Sequence, residues 1–193
     1  MQNFYRVCVK IYSPEVAGAA KDADLFVPIF HEWIREGLPD LVAVDVADYA
    51  HVPDGPGIML VAHEAAFALD RSDGRFGLFV QRRTPAEGGP VAAVARTLRQ
   101  ALQVAGRLER EPRLAGSLKF DAGMLTIEAN DRLLAPNSEA GFRAFEPIVR
   151  EAIAIILPLE STSIRRLEND PRDRLAVEIR TTAAMDLQDY LAA

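Results

Sequence analysis

The sequence has one cysteine, Cys8, in 193 residues. No intrachain disulfide can form, and no cysteine cage can hold a metal. Long apolar runs are missing too. The nearest, Ile148 to Leu159, contains Arg150 and Glu151 and falls well short of the ~20 residues a membrane helix needs. Lysine is scarce: only Lys10, Lys21 and Lys119 are not arginine among the 22 basic residues. Positive charge is itself in deficit, 22 against 28 acidic residues, for a net charge of −6. An acidic field repels phosphate backbones, so no nucleic-acid partner is expected. The segment from Met1 to Val7 has neither a basic start nor an apolar core, and Lys10 follows closely. No secretory leader, no membrane partner and a cytoplasmic location are therefore expected. What is present is ordinary: 49% hydrophobic and 26% charged residues, the mix of a packed globular chain and not of a disordered, collagenous or rod-like one.

Hydrophobic spacing supplies the elements. Residues 4–12 alternate like a strand and place Cys8 as a packed thiol. Phe26, Ile29, Phe30, Trp33 and Ile34 recur at helical spacing, with Asp24 as expected N-cap and Gly37 as terminator. Strands are expected at 41–47, with Val42, Val44 and Val46 on one face, and at 58–63. Residues 67–70 and 75–81 flank Ser72-Asp73-Gly74 as a hairpin, and a loop is expected from Ser13. Val91, Val94, Leu98, Leu102, Ala105 and Leu108 mark a long amphipathic helix that Pro112 ends. A hairpin turning at Asp121-Ala122-Gly123 follows. Next comes a helix capped by Asn137 or Ser138 and kinked or restarted at Pro147. A third hairpin, 161–181, and a short helix from about Ala184 complete the pattern.

The order predicts an α+β fold: a largely antiparallel sheet with helices on one face, built from repeated helix-strand-strand units at 24–63, 90–129 and 138–181. One domain over 1–193 is expected, with Gly88-Gly89-Pro90 as a linker between sub-halves 1–84 and 90–193. A continuous sheet and two packed halves both satisfy this pattern.

Chemistry-bearing residues concentrate in the first half. His31 and His63 are each followed by a glutamate, Glu32 and Glu64. His51 belongs with the 50–57 turn, about 20 Å from His63 if the flanking strands pair. The candidate metal ligands are thus His31, His63 and Glu64, although the HExxH pattern is absent. The stretch from Asp45 to Gly57 places acids, a histidine, a tyrosine and rigid turn residues together. Asp48, His51 and Asp54 are candidates for acid/base work, since a carboxylate raises histidine basicity and fixes its tautomer. Tyr49, Gly55, Gly57 and Arg82 are candidate ligand-binding residues, and Arg71, Arg75, Arg82 and Arg83 a candidate anion cluster. No nucleophile elbow and no phosphate loop accompanies them.

The stretch Asp45–Gly57, with Ala62-His63-Glu64, Leu69-Asp70-Arg71-Ser72-Asp73-Gly74-Arg75 and Asn130-Asp131-Arg132-Leu133, resembles an uncharacterised bacterial family over most of the chain. The resemblance implies a free-standing cytosolic domain and brings no activity, cofactor or catalytic residue. With no nucleophile-base-oxyanion set, no nucleotide loop and no closed metal cage in the residues, the expectation is a non-catalytic binding or assembly protein. It would self-associate or meet a protein partner through an apolar helix face such as 91–108 or a sheet edge, with a small molecule as a further partner. The alternatives are an enzyme using the Asp48/His51 loop and a metal protein using His31 and His63.

Overall fold

A computed structural model describes residues 6–53, 55–157, 161–182 and 187. The elements run β1 (Val7–Val16), α1 (Phe26–Glu36), β2 (Ala43–Tyr49), β3 (Gly57–Ala62), β4 (Ala65–Asp70), β5 (Gly77–Arg82), α2 (Gly89–Glu109), β6 (Leu118–Ala129), α3 (Glu139–Ala154), β7 (Thr162–Arg166) and β8 (Leu175–Thr181). The strands form one sheet in the order β2-β3-β4-β5-β1-β6-β8-β7, and every neighbouring pair is antiparallel. The fold is α+β, and the sheet is continuous. The two chain halves meet because β1 lies between β5 and β6, pairing Val9 with Val80 on one side and with Ile127 on the other.

Alternation along each strand sorts residues between two faces. Val9, Ile11, Leu60, Phe67, Leu78, Val80, Leu125, Ile127, Val177 and Ile179 share one core with Phe30 and Trp33 of α1, Leu98 and Leu102 of α2, and Val149 of α3. Helix α1 packs over β2 and β3, α2 over β1, β5 and β6, and α3 over β7 and β8. All three helices cover the same face. The opposite face carries, in register across the strands, Ala68, Phe79, Lys10, Thr126 and Glu178. Buried ion pairs sit on this uncovered side, and they matter below.

Several expectations are corrected. Helix α2 buries its apolar stripe, Val94, Leu98, Leu102, Ala105 and Leu108, against the sheet, so that face is not free for assembly. Residues 117–129 are no hairpin but one bulged strand. The register against β1 shifts around Tyr12, and Asp121 Oδ1 accepts the Gly123 amide at 2.8 Å, a local turn absorbed without reversing the chain. The middle repeat unit therefore has a single strand, and the β4–β5 hairpin interrupts the series. Helix α3 passes through Pro147. The proline is solvent-exposed, on the outer side of the helix, where a missing amide is best tolerated.

Asp22, not Asp24, provides the cap, accepting the Asp24 amide at the start of a 3-10 turn that leads into α1. Ser138 caps α3 through the Gly141 amide. Asn137 instead donates to Asn169 and to the Asp170 carbonyl. Strand β1 continues to Val16 where a loop was expected. A bulge between Ala43 and Asp45 breaks the expected valine face of β2: Val42 and Val44 are 70% and 56% exposed, and only Val46 packs against the core. The expected C-terminal helix lies almost wholly outside the described residues. No helix among the described residues is long and apolar enough to cross a membrane.

Candidate functional site

Three chain segments meet at the end of the sheet where Tyr12 pairs with Gly77 and Tyr49 pairs with Gly57. The first is the turn from β2 to β3. Asp48 Oδ1 accepts the Ala50 amide at 2.8 Å, Tyr49 O the Val52 amide at 2.9 Å and Val52 O the Gly55 amide at 3.0 Å. The chain then enters β3 at Gly57, whose φ of +67° is one that residues with a side chain rarely adopt. A Cβ there would lie 2.5 Å from the Leu69 carbonyl oxygen. Glycine at 57 thus lets the turn close on β4.

The second segment is the pair of short 3-10 turns, Gly18–Lys21 and Ala23–Leu25, fastened to Ser117 through the Ala17 and Ala20 amides. The third is the hairpin tip between β4 and β5. Asp70 accepts the Ser72 amide and hydroxyl, Asp73 accepts the Arg75 amide, and Arg71 O accepts the Gly74 amide. A tip so bonded holds Arg71 and Arg75 in place.

Between the three segments lies a cavity of about 270 Å³. Phe26, Ile58, Leu69 and Phe76 form an apolar lining, with Tyr49, Gly55 and Gly57 on one wall and Lys21, Arg71 and Ser72 on the others. Arg71 lies over the Phe76 ring, 4.6 Å from its centroid, a cation–π arrangement. Beyond that stacked pair is a second cavity of about 520 Å³, which shares Lys21, Arg71 and Phe76 with the first and adds Tyr12, Arg75 and Met124.

A buried polar network supports both. Lys10 Nζ donates to Asp70 Oδ2 at 2.5 Å and to Asp73 Oδ1 at 2.6 Å. The Tyr12 hydroxyl donates to Asp73 Oδ2 at 3.0 Å, receives from Arg75 at 2.8 Å and lies 2.8 Å from Thr126 Oγ1. Arg75 also stacks on the Tyr12 ring, 3.9 Å from its centroid. Burial, with Asp73 nearby, pushes the Tyr12 hydroxyl up to about 12, opposed by Thr126 and Arg75. Burial also acts to raise the Asp73 carboxyl, but the bonds from Lys10, Arg75 and Tyr12 outweigh it and hold the group below its ordinary value. Two cations, Lys10 and Arg75, thus face two carboxylates, Asp70 and Asp73.

Three of the four expected ligand residues, Tyr49, Gly55 and Gly57, line this cleft. Arg82 does not. It stands at the far end of β5 on the helix-covered face, 1% exposed, with Nη2 3.6 Å from Glu64 Oε2 and 3.5 Å from the Pro85 carbonyl. Burial lowers its pKa, and Glu64 opposes the shift. The expected arginine cluster is thereby split. Arg71 and Arg75 flank the hairpin tip, whereas Arg82 and Arg83 lie a full strand away, and Arg83 donates to the Ala62 carbonyl.

The acid/base pair does not form either. The Asp48 carboxylate is turned to its own backbone, and the His51 side chain is exposed, outside the cavity lining. Asp54 lies outside the described residues. The metal set is not assembled: no group of three or more His, Cys, Asp or Glu among the described residues could hold an ion. His31 and His63 are both exposed, and Glu64 is engaged by Arg82 and Arg96. Cys8 is a buried thiol whose pKa is pushed far up, first by burial and then by Glu128, the state of an unreactive packing residue.

Sequence reasoning passed over Lys21, Ser72, Phe76 and the Lys10–Asp70–Asp73 network. One signal was available: a lysine at the centre of an alternating apolar strand, which is retained there only with a partner. Against known proteins, the sequence matches no protein-family model and no curated protein.

Proposed function

We propose that this chain is a non-catalytic binding protein of the cytoplasm and that the cleft between Tyr49, Lys21 and Arg71 takes a small organic acid with an apolar body. One observation carries this reading. Lys21 and Arg71 reach the cleft with no carboxylate partner among the described residues, above a lining of Phe26, Ile58, Leu69 and Phe76. Among the described residues, Lys10 and Arg75 close by are paired with carboxylates whereas Lys21 and Arg71 are not, and two such cations beside an apolar lining suit an anion. No histidine, aspartate or glutamate lines the cavity among the described residues. Among the described lining residues a bound molecule meets no general base, and this supports a reading of binding without turnover.

Native mass spectrometry of untagged protein from its own host tests the proposal. The expected spectrum carries an added mass of a small acid, lost in Arg71→Ala. A chain without added mass that also fails to bind small aromatic acids in calorimetry overturns it.

Self-association is the second reading, favoured by the exposed Val42 and Val44 at the β2 edge. A partner copy would meet these side chains without extending the sheet, because Asp45 Oδ1 accepts the Val46 amide at 2.8 Å and a bulge precedes it, both devices that blunt an edge. A monomeric mass unchanged up to high micromolar concentration would remove this reading.

A further inference from the structure

The charge balance around the cleft says more about its occupant. Four charged groups of the supporting network offset one another: Lys10 pairs with Asp70 and Asp73, and Arg75 lies 3.4 Å from Asp73. Asp22, beside the 3-10 turns, turns its carboxylate to the Asp24 amide and is not part of the lining. Among the described residues, the charged groups left facing the two cavities without a carboxylate partner are Lys21 and Arg71, two positive charges. A single carboxylate would leave one of them unanswered.

The position of these two residues is as informative as their number. They are common to both cavities, at the junction on either side of the Arg71–Phe76 stack. A group held there is open on two sides, with room for more oxygens than a flat carboxylate has. The apolar cavity of about 270 Å³ is of the size that takes a single ring, since an engineered cavity of about 150 Å³ already admits benzene.

We infer that the cleft binds an aryl phosphate monoester, its ring against Phe26, Ile58, Leu69 and Phe76 and its phosphate between Lys21 and Arg71. This deepens the preceding proposal and rests on it. A phosphate monoester carries about −1.5 to −2 charges at pH 7 and three acceptor oxygens. It thereby answers both cations at once, and the planar donor fork of Arg71 matches its oxygens better than a second lysine would. The stack on Phe76 fixes the guanidinium plane while its edge remains free to donate. The Lys10–Asp73–Arg75 network keeps the hairpin tip, and so Arg71, from drifting toward the floor.

Isothermal titration of the full chain with phenyl phosphate, benzoate and inorganic phosphate tests the inference. Phenyl phosphate is expected to bind at least about tenfold more tightly than benzoate, which lacks the second charge, and than inorganic phosphate, which lacks the ring. Lys21→Ala and Arg71→Ala, both at exposed positions, are each expected to weaken phenyl phosphate about tenfold and to bring it near benzoate. Arg71→Lys recovers only part of the loss. Equal binding of benzoate and phenyl phosphate overturns the phosphate inference and leaves the organic-acid cleft standing. Equal binding of phenyl phosphate to the wild type and to a Lys21→Ala/Arg71→Ala double variant overturns it as well. If no probe binds and the host-purified protein carries no added mass, both readings fall.

Discussion

Replacing Lys10 with methionine removes the ammonium that holds Asp70 and Asp73. Its side chain is 5% exposed, that of Asp70 7% and that of Asp73 36%. Methionine follows the lysine stem as far as Cε and lacks only the terminal nitrogen position, so the packing beside Phe79 and Thr126 changes little. The cost is electrostatic. Asp70 is left buried with only Ser72 as partner among the described residues, and breaking a buried pair from one side costs about 3–5 kcal/mol. Asp73 is partly solvated and still bonded to Tyr12 and Arg75, so its share is small and the lower end, about 3 kcal/mol, applies.

For a domain of this size such a loss lowers Tm by roughly 6–12 °C. Urea unfolding followed by circular dichroism reads it as a reduced midpoint with unchanged slope. A second variant checks the cause. Lys10→Met/Asp70→Asn leaves no buried unpaired charge and is expected to regain at least about half of the lost stability, since removing both partners is far less costly than removing one. If Lys10→Met unfolds within about 1 kcal/mol of wild type, or if adding Asp70→Asn costs more still, the network does not hold the hairpin tip in the way described.

The remaining predictions follow from single features. Asp73 has its folded pKa below the ordinary 3.8, so its contribution to stability is complete above about pH 4–5 and is lost as the pH falls through the folded value. Acid titration of Asp73→Asn is expected to show a shallower loss below pH 4, and an unchanged acid limb would refute the shift. Gly57→Ala places a Cβ 2.5 Å from the Leu69 carbonyl at φ +67° and should cost about 3 kcal/mol. Gly74→Ala, at φ +78° with nothing within 4 Å of the new Cβ, should cost only about 1–2 kcal/mol, and equal losses in thermal melts would refute the close-approach argument. Cys8 is expected to resist thiol reagents at pH 8 until urea unfolds the chain. Rapid labelling of the folded protein would contradict its burial.

Local pattern carried far. The stripe from Val94 to Leu108 announced α2, the alternation through Cys8 and Lys10 announced β1, Asp73-Gly74 announced the β4–β5 hairpin, and Gly37 the end of α1. Each depends on residues within a few positions of one another, where spacing and backbone freedom act directly. The fold class follows from the order of such elements. Of the candidate site, Tyr49, Gly55 and Gly57 were legible for the same reason: a turn rich in glycine and proline at a strand end is recognisable locally.

Tertiary structure decided the rest. Alternation gives each strand two faces but names no neighbour, so nothing local tells that β1 joins the two halves by lying between β5 and β6. Arg71 and Arg82 look alike in sequence, yet one reaches a cleft and the other is buried under helices, because β5 carries them to opposite ends of the sheet. Lys10 finds its carboxylates 60 and 63 residues away. The sequence by itself determined that this chain folds as helices on an antiparallel sheet with a stiff turn after β2. Only the folded chain decided that Lys21 and Arg71 stand over an apolar lining with no carboxylate partner among the described residues, because charge compensation is settled by distance in space and not by separation along the chain.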